Sequence, residues 1–419
     1  MSARDRLRTI AIDLTPLRVS RDYRRVWYGL IATTIGSQFT LVAVFVQLTR
    51  MTGSEVVVGV SGLVWLVGLV IGTLAFGPVI DVWDRRLLLA LAQVGLMIGS
   101  GLLLAGAIAG HPPLWVVYLA LLVAATFSAL DSPTRAAMTP RLVGAELIPS
   151  AQALNQVVWN AAGLFGPAIA GLVIGWFGLR VAYAVDVCSL ALMLAAALAL
   201  PSIAPEGHGE NATGWGAIVE GFRFVKESRL IQSTFVIDLI AMIFGMPRAL
   251  FTFLIVDQFH RSEALVGLLF SAPAVGALLG ALTSGWTRRV RARGRAIVWA
   301  VAVWGASIAL FGLSGLHLWL GMAALAAAGW ADVISAIFRS TILQLAVPDR
   351  LRGRLSAIHI LVVTGGPRLG DLEAGVVARV VSPTFSVVSG GVACVIGAWA
   401  TAVAYPELMA YRPAEDLSA

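Results

Sequence analysis

The sequence predicts an all-α polytopic membrane protein with twelve transmembrane helices. Its 419 residues are 58% apolar and only 13% charged, and the mean hydropathy is +0.86. A bilayer-spanning helix needs about 20 mostly apolar residues, and the apolar runs are continuous over about that length, unlike the alternating segments of a transmembrane β-barrel. A water-soluble globule and a disordered chain are excluded, because so few polar groups could not cover or solvate the chain.

The order of the apolar runs predicts two halves of six helices each. We expect an amino-terminal six-helix bundle at 1–200, a cytoplasmic linker at 201–229 and a carboxy-terminal six-helix bundle at 230–419. In the linker, apolar residues recur at helical spacing between Gly216 and Glu227, which predicts a short amphipathic helix at the membrane surface. The helices are expected near 26–48, 55–79, 86–108, 114–133, 153–176, 179–200, 231–256, 264–286, 296–315, 317–339, 357–381 and 384–406.

The arginines predict the orientation of these helices. Basic residues collect on the cytoplasmic side of membrane proteins. With the amino terminus placed inside, 24 basic residues fall on the cytoplasmic side, Arg339 among them, and only 4 fall outside. We therefore expect both termini in the cytoplasm of a plasma membrane, and we attribute the net charge of +7 to topology rather than to nucleic-acid binding.

Soluble-enzyme chemistry has no motif in this chain. No glycine-rich phosphate loop ends in lysine, which argues against an ATP-driven pump, and no nucleophile–base pairing is seen. Cys188 and Cys394 both lie in apolar runs, so we expect no disulfide framework. The histidines are dispersed and mostly near loops, without the spacing of a metal site. We expect no enzyme activity, no cofactor and no metal, and energy that comes from an ion gradient or from the solute's own gradient.

Two groups of residues carry a recognisable pattern. The first surrounds the loop between helices 2 and 3 and the end of helix 4, where acidic and basic residues stand close to the membrane edge; its members are Gly77, Asp81, Arg85, Arg86, Asp131 and Arg135. The second lies in helix 5, where glycines permit close helix approach and a proline bends the helix; its members are Gly163, Gly166, Pro167 and Gly171.

Together these groups resemble the major facilitator superfamily. The loop keeps most of the superfamily's signature but has Val82 for a basic residue and Asp84 for its second glycine. The resemblance implies that Asp81 caps the start of helix 11 and that Arg85 or Arg86 reaches Asp131 in a cytoplasmic latch. The helix 5 motif resembles that of the superfamily's exporters. Local strings such as the one from Pro348 to Arg354 are similar to the drug and siderophore exporter branch, that of the enterobactin exporters and macrolide efflux proteins.

Ionisable residues within the apolar runs are the best functional candidates that need no family. Such a group is costly at the bilayer centre, so it is expected to face a cavity or a partner. Arg368 and Asp371 are three residues apart and share a helix face, which allows an ion pair. The candidates for proton coupling are Asp238, Glu373, Asp371 and Asp186, with Arg248 and Arg368 as charge partners, whereas Asp332 is expected to be a polar anchor.

These observations predict a secondary active transporter that exports a small amphipathic molecule, siderophore-like or drug-like, by alternating access and proton antiport, as a monomer. Gln38 could bind substrate or a neighbouring helix, and the aromatic residues Trp159, Phe244 and Phe253 could line the substrate cavity or serve in packing. Two alternatives stay open: a translocator of phospholipid or lysolipid with the same fold, and a non-transporting membrane sensor or partner subunit.

Overall fold

The structure is a computed structural model that describes residues 13–80, 82–204, 223–347 and 349–411. These residues are nearly all helical, and no β-strand occurs in the four ranges. This agrees with the all-α class predicted from the sequence.

The first half of the chain forms six long helices. Glycine ends α3, α4 and α5: Gly110 has φ of 90°, and Gly144 and Gly178 have φ of 80°, values that a residue with a side chain rarely adopts. Proline occurs inside α4 and α5, as membrane helices tolerate. The bounds are α1 Arg21–Thr52, α2 Glu55–Ile80, α3 Arg85–Ala109, α4 Leu114–Val143, α5 Ile148–Phe177 and α6 Leu179–Leu198.

The second half begins with a broken helix. α7 ends at Phe244, and after residues 245–247, which include Pro247, the chain continues through short helical turns from Arg248 to Gln258. Proline cannot donate a backbone hydrogen bond, so a break at this point has a local cause. The remaining bounds are α7 Arg229–Phe244, α8 Val266–Thr283, α9 Arg293–Gly312, α10 Leu318–Ala346, α11 Asp349–Val380 and α12 Pro383–Ala404.

Eleven helical segments of the described chain are long and apolar enough to cross a membrane. They coincide with all of the predicted runs but one. The exception, 357–381, corresponds to the second part of α11, where Arg368, Asp371 and Glu373 fall close together and lower the hydropathy. The structure therefore supports a multi-pass helical protein, and the count of exactly twelve spans stays a prediction.

The chain divides into two compact units. The first comprises Met1–Ala43 and Val67–Glu210, and the second comprises Val44–Leu66 and Asn211–Ala419. In the first unit α3 packs on α4 and α6, and in the second unit α8 packs on α10, α9 packs on both α10 and α12, and α7 packs on α11. The predicted boundaries at 1–200, 201–229 and 230–419 stay a prediction.

The predicted linker helix is only partly within the described residues. Residues 223–227 are helical, and Phe224 and Val225 pack against a cluster that contains Ile231 and Phe235. The earlier part of the predicted helix, from Gly216 to residue 222, lies outside the described residues.

Candidate functional site

A cluster of ionisable side chains lies inside the second unit, where α7, α10 and α11 meet. Asp238 of α7 is 1% exposed, and its Oδ1 lies 2.9 Å from Nη1 of Arg339 on α10. The second guanidinium nitrogen of Arg339 is 3.8 Å from Oδ1 of Asp332, and Nδ1 of His359 on α11 is 3.9 Å from Oδ2 of Asp238. We call these four residues the Asp238 cluster.

The Asp238 cluster holds a buried ion pair whose members come from different helices. Removing two charges from water is costly, and the attraction between them offsets that cost only while both partners stay charged and close. A proton added to Asp238 would therefore leave the buried Arg339 without its nearest counter-charge. The arrangement is chemically suited to couple protonation to a change in helix packing.

Sequence reasoning missed Arg339 and His359 as members of this site. Arg339 stands at the end of predicted helix 10, so it was counted among the cytoplasmic basic residues, but it is only 2% exposed. The helix does not end at Arg339 but continues for seven more residues to Ala346. The signal that could have revealed it is its distance of seven residues from Asp332, two helical turns that return to one face of α10.

A second charge group surrounds the break after α7. Asp371 of α11 is fully buried, lies 3.3 Å from Nη2 of Arg248 and accepts a hydrogen bond of 3.2 Å from the backbone N–H of Ala249. Asp371 thus satisfies a backbone donor at the start of the turn that follows Pro247.

Of the two predicted charge partners, Arg248 contacts Asp371, whereas the cation beside Asp238 is Arg339, which was not predicted. Arg368, the expected ion-pair partner of Asp371, has its guanidinium carbon 5.0 Å from the centre of the Trp65 ring, within the range of a cation–π contact.

The other two carboxylate candidates have different surroundings. Asp186 of α6 is buried in the first unit and accepts hydrogen bonds from Thr40 (2.7 Å) and Ser100 (2.6 Å), and it has no ion pair among the residues that the structure describes. Glu373 is half-buried in α11. Asp186 is therefore held by hydroxyl groups alone, whereas Asp238 is held by a cation.

The predicted latch residues form a different set of contacts. Asp131 forms an ion pair with Arg135, one turn later in α4. Oδ1 of Asp131 also accepts a hydrogen bond of 2.7 Å from Nε2 of Gln93. Arg85 and Arg86 instead donate to the backbone carbonyls of Ala137 and Leu198, each at 2.8 Å. The resemblance-based expectation that Arg85 or Arg86 reaches Asp131 is therefore corrected. Gly77 lies in the last turns of α2, and Asp81 lies outside the described residues.

Asp84, which replaces a glycine of the loop signature, has a structural role of its own. It accepts a hydrogen bond of 2.8 Å from the Arg86 N–H and so caps α3. It also accepts hydrogen bonds from the Ser202 hydroxyl and the Ile203 N–H, at 2.5 and 3.2 Å, which fasten the segment after α6 to this loop. Burial acts to raise the pKa of Asp84, but these hydrogen bonds outweigh it and lower the pKa below its usual value.

The helix 5 motif places one glycine against α1. A Cβ added at Gly166 would lie 2.7 Å from Cγ of Gln38, whereas one added at Gly163 would meet nothing within 4 Å. Pro167 and Gly171 are buried within α5. Gln38 therefore packs on Gly166 through its Cβ and Cγ atoms, and whether its amide binds substrate or a neighbouring helix stays a prediction.

The aromatic candidates do not share one place. Trp159 is 47% exposed and lines a cavity of about 190 Å³ in the first unit, together with Tyr23, Trp27 and Arg135. Phe253 is buried in the second unit, and Phe244 is half-buried at the end of α7.

The chain matches the family described as transmembrane secretion effector, over residues 11–414. It belongs to this family. The family is part of the major facilitator superfamily, which confirms the resemblance and the fold class predicted from the sequence. The protein is therefore a membrane transporter and not an enzyme.

Named relatives of this secretion effector are exporters. It is 27% identical over 384 residues to the enterobactin exporter EntS of Shigella boydii serotype 4 and to that of Escherichia coli strain SE11, with 91% of each chain covered. These relatives support a multi-pass membrane exporter of a small molecule.

Solved structures support the fold of this secretion effector. The nucleoside transporter NupG superposes with a TM-score of 0.72 at 15% identity, covering 94% of this chain and all of that one. A bacterial homologue of the iron transporter ferroportin, in its inward-facing state, gives a TM-score of 0.67 at 14% identity, covering 93% and 99%. At these identities the likeness concerns the fold alone.

Proposed function

We propose that this secretion effector exports a small amphipathic molecule of the siderophore class from the bacterial cytoplasm by proton antiport and alternating access. The substrate class is suggested by the enterobactin exporters, which are 27% identical over 91% of their length. Both termini lie in the cytoplasm in this proposal, because 24 basic residues then fall on the inner side against 4 outside. The working unit is a monomer.

The observation that carries the coupling proposal is the ion pair between Asp238 and Arg339. It is the closest contact in the Asp238 cluster, at 2.9 Å, and both side chains are almost fully buried. When Asp238 takes up a proton, Arg339 keeps its charge and loses its counter-charge. The protein then favours a conformation in which Arg339 finds other partners, and release of the proton reverses the change.

Two further acids are the alternative coupling groups. Asp371 is already engaged by Arg248 and by the Ala249 backbone, which suits a structural role at the helix break. Glu373 is half-buried two residues further along α11, and we place it second to Asp238. Asp186 is held by hydroxyl groups in the first unit, and none of the described residues places a cation beside it whose charge a proton could release.

The coupling proposal is tested with purified protein in liposomes that contain enterobactin as substrate. An imposed pH gradient should drive substrate movement in the wild type. Asp238→Asn should abolish gradient-driven accumulation while downhill exchange of substrate persists, because substitution removes the protonatable group and not the substrate site. Asp257→Asn is the matched control, since Asp257 is an exposed carboxylate in the same helical segment, Arg229–Gln258.

Three results would contradict parts of this proposal. If Asp238→Asn and Glu373→Gln, made separately, both accumulate substrate with wild-type proton dependence, the coupling assignment is wrong. If the liposomes flip labelled phospholipid and leave enterobactin in place, the lipid-translocator alternative is correct. If the purified protein moves neither, it acts as a partner or sensor.

A further inference from the structure

The cavity of the first unit is built from α1, α4 and α5. Its volume is about 190 Å³, and its wall includes the aromatic, amide and cationic side chains of Tyr23, Trp27, Arg135, Asn155, Gln156 and Trp159. We call it the α1–α4–α5 cavity. It lies toward the end of α4 and the starts of α1 and α5, which the arginine distribution predicts to be the cytoplasmic side.

Three of these wall residues are aromatic. Aromatic faces bind planar rings in offset or edge-to-face geometry, and each such pair adds about 0.5–1.5 kcal/mol beyond the area it buries. Trp159 leaves 47% of its surface exposed, so its ring is available to a ligand. The indole nitrogen of Trp27 is buried with no hydrogen-bond partner within the described part of the chain.

The polar wall offers both a donor and an acceptor. The Tyr23 hydroxyl lies 3.2 Å from Oδ1 of Asn155, which leaves the Asn155 amino group as a donor. Nε2 of Gln156 donates to Oδ1 of Asn160 at 3.0 Å, which leaves Oε1 of Gln156 as an acceptor. A hydroxyl group both donates and accepts, so it matches this pair of amides.

The cavity has little net charge to offer a ligand. Among its described wall residues the one cationic side chain, that of Arg135, is already paired with Asp131, so it does not require an anionic ligand. A cavity of about 150 Å³ can hold benzene, and this one is somewhat larger. The size and the polarity together therefore fit a single aromatic ring with one or two hydroxyl groups.

We propose that the α1–α4–α5 cavity binds one neutral hydroxylated aromatic ring, of the phenol or catechol class. The ring either belongs to the exported molecule, in which case this is the site where substrate is taken up from the cytoplasm, or it belongs to a free phenolic compound that regulates export. The first source rests on the proposed function, whereas binding of the ring itself does not.

The experiment measures catechol binding to the purified full-length protein by isothermal titration calorimetry, without any proton gradient. Trp159→Leu keeps an apolar side chain and removes the aromatic face, and Asn155→Ala removes the amide donor. Each should weaken binding about 2- to 10-fold, from the usual worth of an aromatic pair or a hydrogen bond. Trp176→Leu is the matched control, because Trp176 lies on the same helix, is exposed and does not line the cavity.

The ligand class has its own comparison. Benzoate, a ring of the same size that carries a negative charge, should bind at least several-fold more weakly than catechol. Equal binding of the two would overturn the assignment of a neutral ring. The proposal also fails if catechol does not bind at millimolar concentration. It fails as well if Trp176→Leu weakens catechol binding as much as Trp159→Leu does, provided that both variants unfold at the same temperature as the wild type.

Transport then separates the two sources of the ring. Competitive inhibition of enterobactin export by catechol assigns the cavity to the substrate path, and a change in export rate without competition assigns it to a free regulator. Because binding is measured without a gradient, catechol binding in a protein that shows no proton coupling would reject the proposed mechanism and retain this site.

Discussion

The Asp238 cluster predicts an asymmetric effect on stability. Arg339→Met leaves both Asp238 and Asp332 without their cation, whereas Asp238→Asn leaves Arg339 with Asp332 at 3.8 Å. Coulomb's law with an effective dielectric constant of about 20 gives an attraction of about 6 kcal/mol at 2.9 Å and about 4 kcal/mol at 3.8 Å, before desolvation is subtracted. We therefore expect Arg339→Met to lower the free energy of unfolding by about 3–5 kcal/mol and Asp238→Asn by about half as much.

The assay is denaturant-induced unfolding in detergent micelles, followed by tryptophan fluorescence. The double variant Asp238→Leu with Arg339→Met should be more stable than Arg339→Met alone, because it leaves no buried acid at position 238. Arg50→Met is the matched control, since the Arg50–Glu263 pair lies in the same unit at 2.5 Å but is substantially exposed, and it should cost less than about 1 kcal/mol. The single variant Asp238→Leu completes the double-mutant cycle. If Arg339→Met costs no more than Arg50→Met, or if the effects of Asp238→Leu and Arg339→Met are additive, the ion pair does not hold these helices as argued.

Three further predictions concern the first unit. Asp84→Ala should lower the free energy of unfolding by about 0.5–2 kcal/mol through loss of the α3 cap. Hydrogen bonds lower the pKa of Asp84 in the folded protein, so its contribution to stability is fully present above the ordinary value of 3.8 and is lost as the pH falls through the lowered value. The stability of Asp84→Asn should therefore fall less steeply with acid than that of the wild type. Asp186→Asn should destabilise the protein less than Asp238→Asn in the same unfolding assay, because it leaves no cation unpaired, and an equal or larger loss would contradict that reasoning. Gly166→Ala should cost about 1–3 kcal/mol by overpacking against Gln38, whereas Gly163→Ala should be neutral or slightly stabilising; equal effects on the thermal midpoint would refute the close contact.

Hydrophobicity predicted most of the fold, because each bilayer-crossing helix needs its own long apolar run. Eleven of the predicted runs correspond to helical segments that could cross a membrane. The run at 357–381 is less clear for a physical reason: Arg368, Asp371 and Glu373 lower its hydropathy, although Asp371 is fully buried within the protein. The break after Phe244 was not predicted, because a Gly–Met–Pro sequence within an apolar run is compatible with either a kink or an interruption.

The site was harder to predict than the fold, because pairing between helices depends on rotation and depth that one sequence does not specify. The spacing of Arg368 and Asp371 correctly put both on one face of α11, but it could not show that Arg248 approaches Asp371 from the break after α7. Likewise, Asp84 looked like the loss of a glycine from the loop signature. Its contacts with Ser202 and Ile203 come from residues 118 and 119 positions away, which no local pattern indicates.

Arg339 shows how one residue type supports two different inferences. A basic residue at the end of an apolar run is expected at the membrane surface, and the orientation was predicted on that basis. Removing Arg339 from the count leaves 23 basic residues inside against 4 outside, so the predicted orientation does not depend on it. The coupling proposal does depend on it, because Arg339 is the cation beside Asp238. An acidic residue two turns earlier on the same helix, here Asp332, is the feature that should direct attention to a terminal arginine as a buried partner rather than a topological signal.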